Sequence, residues 1–232
     1  MSMHDASAAA LQVSPIRLDL GADKPAAALT LRNEGAVPLN AQVRVFAWSQ
    51  SPDEDRLERT ASIVASPPIV RIAPNAEQTV RILRVADTPL AREETYRLLI
   101  DEIPNAQASE TNGVRMQLRY SVPVFAGAQD SRVPTLSFAL ERKDAQWMLR
   151  ASNGADTHAQ LSRVSLEWPN GQSTAVSSGL LGYTLPHATR RWPVASVPGD
   201  PASATVHALV NGEPLTARIA IEPVRASPAT DH

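Results

Sequence analysis

The apolar residues Val114, Met116, Leu118, Tyr120 and Val122 alternate with Arg115, Gln117, Arg119 and Ser121. A period of two marks a β-strand with one apolar and one polar side. The alternation leaves open what the apolar side packs against: the core of its own sheet, or a groove on another molecule. Shorter apolar segments bounded by Pro, Gly, Asn and Asp cover Ala28 to Arg32, Leu39 to Trp48, Ile69 to Ile72, Thr79 to Val85 and Tyr96 to Ile103. None carries a 3.6-residue stripe through three turns, so all are predicted as strands.

The first segment changes parity within itself. Leu11 and Val13 share one side while Ile16, Leu18 and Leu20 share the other, with Ser14 and Pro15 at the change. This predicts a kink, a bulge, or a passage from one sheet to another. After Phe125 the run AGAQDSRVP breaks the pattern. A second series of strands is then expected over Thr135 to Leu140, Gln146 to Ala151, Leu161 to Trp168, Leu180 to Leu185 and Arg191 to Val194. Asn211 and Gly212 stand between two alternating runs and signal a hairpin, its loop open to lengthening by Glu213 and Pro214. The reading is therefore all-β, with antiparallel sandwich domains over 11–127 and 128–225 and disordered segments at 1–10 and 226–232. The two halves show no repeat that aligns by sequence.

Composition narrows the function classes. The chain of 232 residues is 43% hydrophobic, yet no run of about eighteen apolar residues exists to form a spanning helix, so no membrane insertion is expected. A formal charge of -2 and the absence of Lys/Arg blocks supply no field for nucleic acid. Without cysteine, disulfide and thiolate-zinc chemistry are unavailable. The start MSMHDASAAALQ has no basic segment followed by an apolar one, so no export signal is expected in this chain, which is then either cytoplasmic or a mature form.

Candidate chemistry is sparse. The five histidines are scattered without metal-ligand spacing, and the neighbouring acids Glu93/Glu94 and Asp101/Glu102 diverge if they lie on strands. Nucleophile-elbow, phosphate-loop and dinucleotide motifs are missing, so neither an enzyme nor a cofactor is expected. The four tryptophans fit either sandwich cores or a sugar-stacking surface, and the latter keeps a secreted adhesion or carbohydrate-binding module as the alternative.

Several segments together resemble the PapD-like periplasmic chaperones of the chaperone-usher pilus pathway: LQVSPIRLDL, ALTLRNEG, PLNAQVRVFAW, SPPIVRIAPNAEQTVRI, YRLLIDEIP and VRMQLRYSVPVF. They cover nearly all of residues 11 to 125 in the family's order. The YSVPVF ending and the short linker from Pro104 to Gly113 are closer to the Csu-type, so-called archaic, branch than to the P-pilus branch.

The resemblance implies two immunoglobulin-like sandwiches arranged in an L with a subunit-binding cleft. It further implies a periplasmic protein that lends a strand to pilin subunits and delivers them to an outer-membrane usher. Carried over by position, the donor residues are Val114, Met116 and Leu118, with Tyr120 and Val122 continuing the same face. Arg17 falls on the first of the two basic residues that clamp the subunit's terminal carboxylate. Pro123 stands where the family has a lysine, which leaves Arg119, about 13 Å away along an extended strand, as the substitute anchor. An apolar edge of this kind also implies self-association through the donor strand in the absence of a client.

Overall fold

A computed structural model of the chain describes residues 11–21, 24–85, 90–103, 118–127, 134–199 and 201–221. Every regular element among them is a strand. In chain order the first ten are β1 (Leu11–Ser14), β2 (Leu18–Leu20), β3 (Ala26–Asn33), β4 (Leu39–Gln50), β5 (Asp55–Arg59), β6 (Ile63–Ser66), β7 (Ile69–Ile72), β8 (Glu77–Arg84), β9 (Glu94–Ile103) and β10 (Arg119–Ala126). They make two sheets, one ordered β1-β3-β8-β6 and the other β2-β10-β9-β4-β5, with β7 also pairing β4.

The core between these sheets follows from alternation. Leu29 and Leu31 of β3 and Val80 and Ile82 of β8 come from one sheet, Val43, Leu98, Ile100, Val122 and Val124 from the other, and all are buried. Each such side chain stabilises the fold by about 1.5–3 kcal/mol relative to exposure.

The remaining strands are β11 (Leu136–Lys143), β12 (Gln146–Asn153), β13 (Ala159–Glu167), β14 (Ser173–Thr184), β15 (Thr189–Pro193), β16 (Ser203–Val210) and β17 (Glu213–Ala220). Their sheets are ordered β11-β12-β15 and β14-β13-β16-β17. A separate core gathers Leu140, Leu149, Leu161, Leu166, Val206 and Trp168. The β16–β17 hairpin turns on Asn211 (φ 52) and Gly212 (φ 91), both in the left-handed region that a two-residue turn requires. Pro214 lies inside β17 opposite Leu209, so the loop is not lengthened.

The chain forms two compact units, Met1–Trp48 with Leu57–Gln129, and Ser49–Arg56 with Asp130–His232. The grouping of Ser49–Arg56 with the second unit is not suggested by contiguity along the chain. There the Gln50 amide donates to the Tyr183 carbonyl (3.0 Å) and accepts from the Leu185 N–H (2.9 Å).

Each unit closes one end of a strand with a buried asparagine. In the first, Asn33 Nδ2 donates to the carbonyls of Val37 (2.8 Å) and Ile72 (3.1 Å), while its Oδ1 accepts from the Gly35 N–H (2.9 Å). In the second, Asn153 Nδ2 donates to Thr157 (2.8 Å) and Thr184 (3.0 Å), and its Oδ1 accepts from the Ala155 N–H (3.0 Å). Their backbone N–H groups donate to Ala76 and Ala188, each of which follows a residue with positive φ, Asn75 and His187. The same device thus occurs twice, on sequences that share little beyond Asn, Pro and Ala at the contact points.

Candidate functional site

The parity change in the first segment is a change of sheet. β1 pairs β3 in one sheet, and after Ser14 and Pro15 the chain crosses so that β2 runs parallel to β10 in the other. A short strand cannot cover a long one: β2 reaches only Val124, Phe125 and Ala126. Among the described residues, nothing pairs with β10 on that side from Arg119 to Pro123.

The phase of the ladder shows which groups this rim presents. Glu102 N–H donates to the Leu118 carbonyl (3.3 Å), so the even-numbered residues of β10 turn their backbone groups toward β9. The odd-numbered ones turn away, as Gly127 N–H does when it donates to Leu20 (3.0 Å). The open rim therefore offers the N–H and C=O of Arg119 and Ser121, while the C=O of Pro123 is taken by the first N–H of β2, as the parallel pairing of Leu18 with Val124 requires. Pro123, which has no N–H, sits where the β9 ladder requires none. An open groove of ≈ 400 Å³ lies beside Tyr120, its other walls formed by Gln12, Val13, Ser14, Thr30, Arg32 and Glu77 of the first sheet.

The donor positions named from the sequence divide. Val122 is buried in the first unit's core, and Tyr120 packs against that core with its hydroxyl donating to the Leu11 carbonyl. These two hold the strand to its own sandwich. Leu118 is half-buried at the head of the strand. Val114 and Met116 lie outside the described residues.

On the opposite face of β10, Phe125 and Trp48 are buried although neither belongs to the core cluster. Their rings lie 6.3 Å apart and each carries a guanidinium: Arg17 over Phe125 (5.0 Å to the centroid) and Arg97 over Trp48 (3.7 Å). Such contacts hold a flexible cation in place without neutralising it. Arg17 also grips Asp19, with Nε donating to both carboxylate oxygens (3.0 and 2.9 Å) and Nη2 to one of them (2.7 Å). Its fork is thus already shaped around a carboxylate.

Arg119 lies on this same face but belongs to another cluster. Its Nε is 2.5 Å from Asp101, which also accepts from Arg44 Nη2 (2.6 Å). Burial pushes the Asp101 carboxyl up, but the two guanidinium hydrogen bonds outweigh it and hold it below the ordinary aspartate range. On the core side, burial and the hydrogen bond to Glu94 (2.6 Å) push the Tyr96 phenol up to about 12. Arg84 is mostly buried beside Glu94 (3.6 Å).

No signal in the sequence distinguishes Arg97. The register places it directly opposite Pro123. Sequence alternation tells which side of a strand a residue occupies but not which residue of the next strand it meets. Gly127 is explained locally: with φ 143 its backbone approaches Glu93, and a Cβ would lie 3.0 Å from Glu93 Cα. Trp48 and Trp168 are buried, and Trp147 and Trp192 pack against the second core, so the four do not offer a shared stacking surface.

Comparison with known proteins bears on this geometry. The family described as pili and flagellar-assembly chaperone, PapD N-terminal domain, matches residues 10–127. The chaperone protein FaeE of Escherichia coli is 31% identical over 121 residues, 50% of this chain and 43% of FaeE, so the match spans less than half of that relative. Among solved structures, a chain of the CsuC–CsuE chaperone–tip adhesion subunit pre-assembly complex of Acinetobacter baumannii superposes with a TM-score of 0.72 at 22% identity, covering 93% of this chain and 100% of that one. The CupB2 chaperone of Pseudomonas aeruginosa gives 0.59 at 19% identity, covering 90% and 100%. At these identities the likeness establishes the two-domain, all-β fold. Because the family match runs from the strand that changes sheets through the open-edged strand it leaves half covered, the chain belongs to the pili and flagellar-assembly chaperone family.

Proposed function

We propose that this protein is a periplasmic, non-enzymatic chaperone that caps pilin subunits by donor-strand complementation and hands them to an outer-membrane usher. The observation that carries the reading is the uncovered rim of β10 in a chain of this family. An incomplete subunit exposes unpaired backbone and an apolar trough, and a strand with one free edge and one apolar flank complements both. Val114, Met116 and Leu118 fill the trough, contributing about 1.5–3 kcal/mol each before association costs. Tyr120 and Val122 anchor the strand from behind.

The lane beside β10 also supports one polarity for the client strand. A client strand on the open rim shares that lane with β2, whose first residue Leu18 pairs Val124. Running parallel to β10, such a strand ends where β2 begins, and its terminal carboxylate meets Arg17. Asp19 then plays the part of that carboxylate within the chain itself.

The test is co-expression with a pilin subunit. Replacing Met116 and Leu118 by Asp is expected to cut subunit recovery at least about tenfold, the loss of roughly 1.4 kcal/mol or more, while the chaperone keeps its thermal midpoint. Arg17→Ala should reduce recovery more than Arg119→Ala. Undiminished recovery in the double variant would remove the donor-strand reading; an unfolded double variant would return those residues to the protein's own core.

A further inference from the structure

The groove beside Tyr120 is built from two rows of the first sheet. β1 pairs β3 and β3 pairs β8, which sets Gln12, Arg32 and Glu77 in one cross-strand row and Ser14 and Thr30 in the next. Val13 and Tyr120, both only partly buried against the core, complete the lining and make it apolar on that side. Arg32 donates to Glu77 (3.0 Å) and lies 3.7 Å from Glu34, so its charge is already met within the chain. Tyr120 ties the groove to the open lane. It stands on β10 between Arg119 and Ser121, whose outward backbone groups form the rim, and its hydroxyl donates to the Leu11 carbonyl of β1.

A client strand in the lane continues the line of β2, where Leu18 and Leu20 pair Val124 and Ala126 and all four are buried. By the same phase, client residues level with Tyr120 and Val122 point inward, toward the first sheet, and those level with Arg119 and Ser121 point outward. Packed sheets stand about 10 Å apart, so only a long side chain level with Tyr120 crosses to β1. We propose that the groove is a selectivity pocket that takes this one client side chain, long and uncharged, with a polar tip. Val13 and Tyr120 cover its stem, while Gln12, Ser14 and Thr30 offer amide and hydroxyl partners to the tip. A carboxylate there meets Glu77 with Arg32 already engaged, and an ammonium gives up water beside the same closed pair. This rests on the functional reading above and adds to it the feature by which one client is told from another.

The full chain, labelled with 15N, is titrated with the probe acetyl-Thr-Val-Thr-Val-Thr-Val-Thr, in which a single Gln, Ala, Glu or Lys guest is moved through every position. Binding is read from the Arg119 and Ser121 amide signals. A preference of about fivefold for Gln over each other guest is expected at one position and is absent at the positions on either side of it. At that position the Gln12 side-chain amide and the Arg32 Nε–Hε signals should shift with the Gln guest and not with Ala. Gln12→Trp, which fills the groove from an exposed position, should lower the preference to about twofold or less, while the unsubstituted probe binds as it does to the wild type. Should the tryptophan variant fail to fold, Gln12→Ala, expected to halve the preference, and the wild-type Gln12 signal still decide. Rim signals that move with every peptide while the guest matters nowhere, or matters equally at neighbouring positions, overturn the pocket and leave the chaperone reading intact. A wild-type preference in both Gln12 variants does the same. Failure of the unsubstituted probe to move the Arg119 and Ser121 amides overturns both.

Discussion

At the scale of single residues, the outward face of the second sheet shows how charge is spent in two ways. Asp101 is held between Arg119 and Arg44, and the arrangement is structural: its carboxyl is below the ordinary value because two donors outweigh burial. A depressed carboxylate adds stability that is fully present above its unfolded value near 3.8 and is lost as pH falls through the lower folded value. Urea unfolding of the wild type and Asp101→Asn should therefore differ by about 1 kcal/mol at pH 7, with Arg119 largely in solvent, and the gap should shrink as pH falls below 3.8. A gap that persists undiminished at pH 2 would show that the pair does not act through the Asp101 charge. Arg17, by contrast, spends its fork on the adjacent Asp19, an exchangeable partner at the end of an open lane. The sequence and its resemblance point to Arg17; neither singles out Arg97, because only cross-strand register brings it to Pro123.

At the scale of the strand, β10 carries two jobs on alternate residues. Its even-numbered backbone groups belong to the β9 ladder and its odd-numbered ones face the open rim. Ser121→Pro therefore removes an N–H the fold does not use, and is expected to lower client capture by about tenfold while leaving stability nearly unchanged. Val122→Pro removes a ladder bond and a core side chain together, and should cost about 3 kcal/mol or more. Circular dichroism melts with parallel capture assays separate the two, and equal damage from both would mean that the phase of the ladder has been misassigned. The alternation in the sequence already showed that this strand has two sides. It could not show that β2 begins only at Val124, because three residues of pairing depend on how the chain turns at Pro15. Nor was β5 legible: Asp55–Arg59 is exposed throughout, and an element with no buried face leaves no hydrophobic period.

At the scale of the molecule, two sandwiches without alignable sequence use one closing device, a buried asparagine tying a turn to a distant strand. Substituting either by Ala strands several buried carbonyls and N–H groups, and should destabilise its own unit by about 2–3 kcal/mol. Hydrogen exchange is the appropriate measure: Asn33→Ala should speed exchange of core amides in β3 and β8, Asn153→Ala those in β12 and β13, and neither effect in its own unit would show that the asparagines are incidental. What the sequence determined by itself was local: strands from a period of two, a sheet change from a swapped parity, and a hairpin from Asn-Gly. Each of these depends only on neighbours along the chain. The tertiary structure alone decided which strand edges stay unpaired, which arginines come abreast of Pro123, and that two unlike sequences close on matching asparagines. Those outcomes depend on which strands lie side by side and in what register, and that choice is made by the packing of both sheets around a common core.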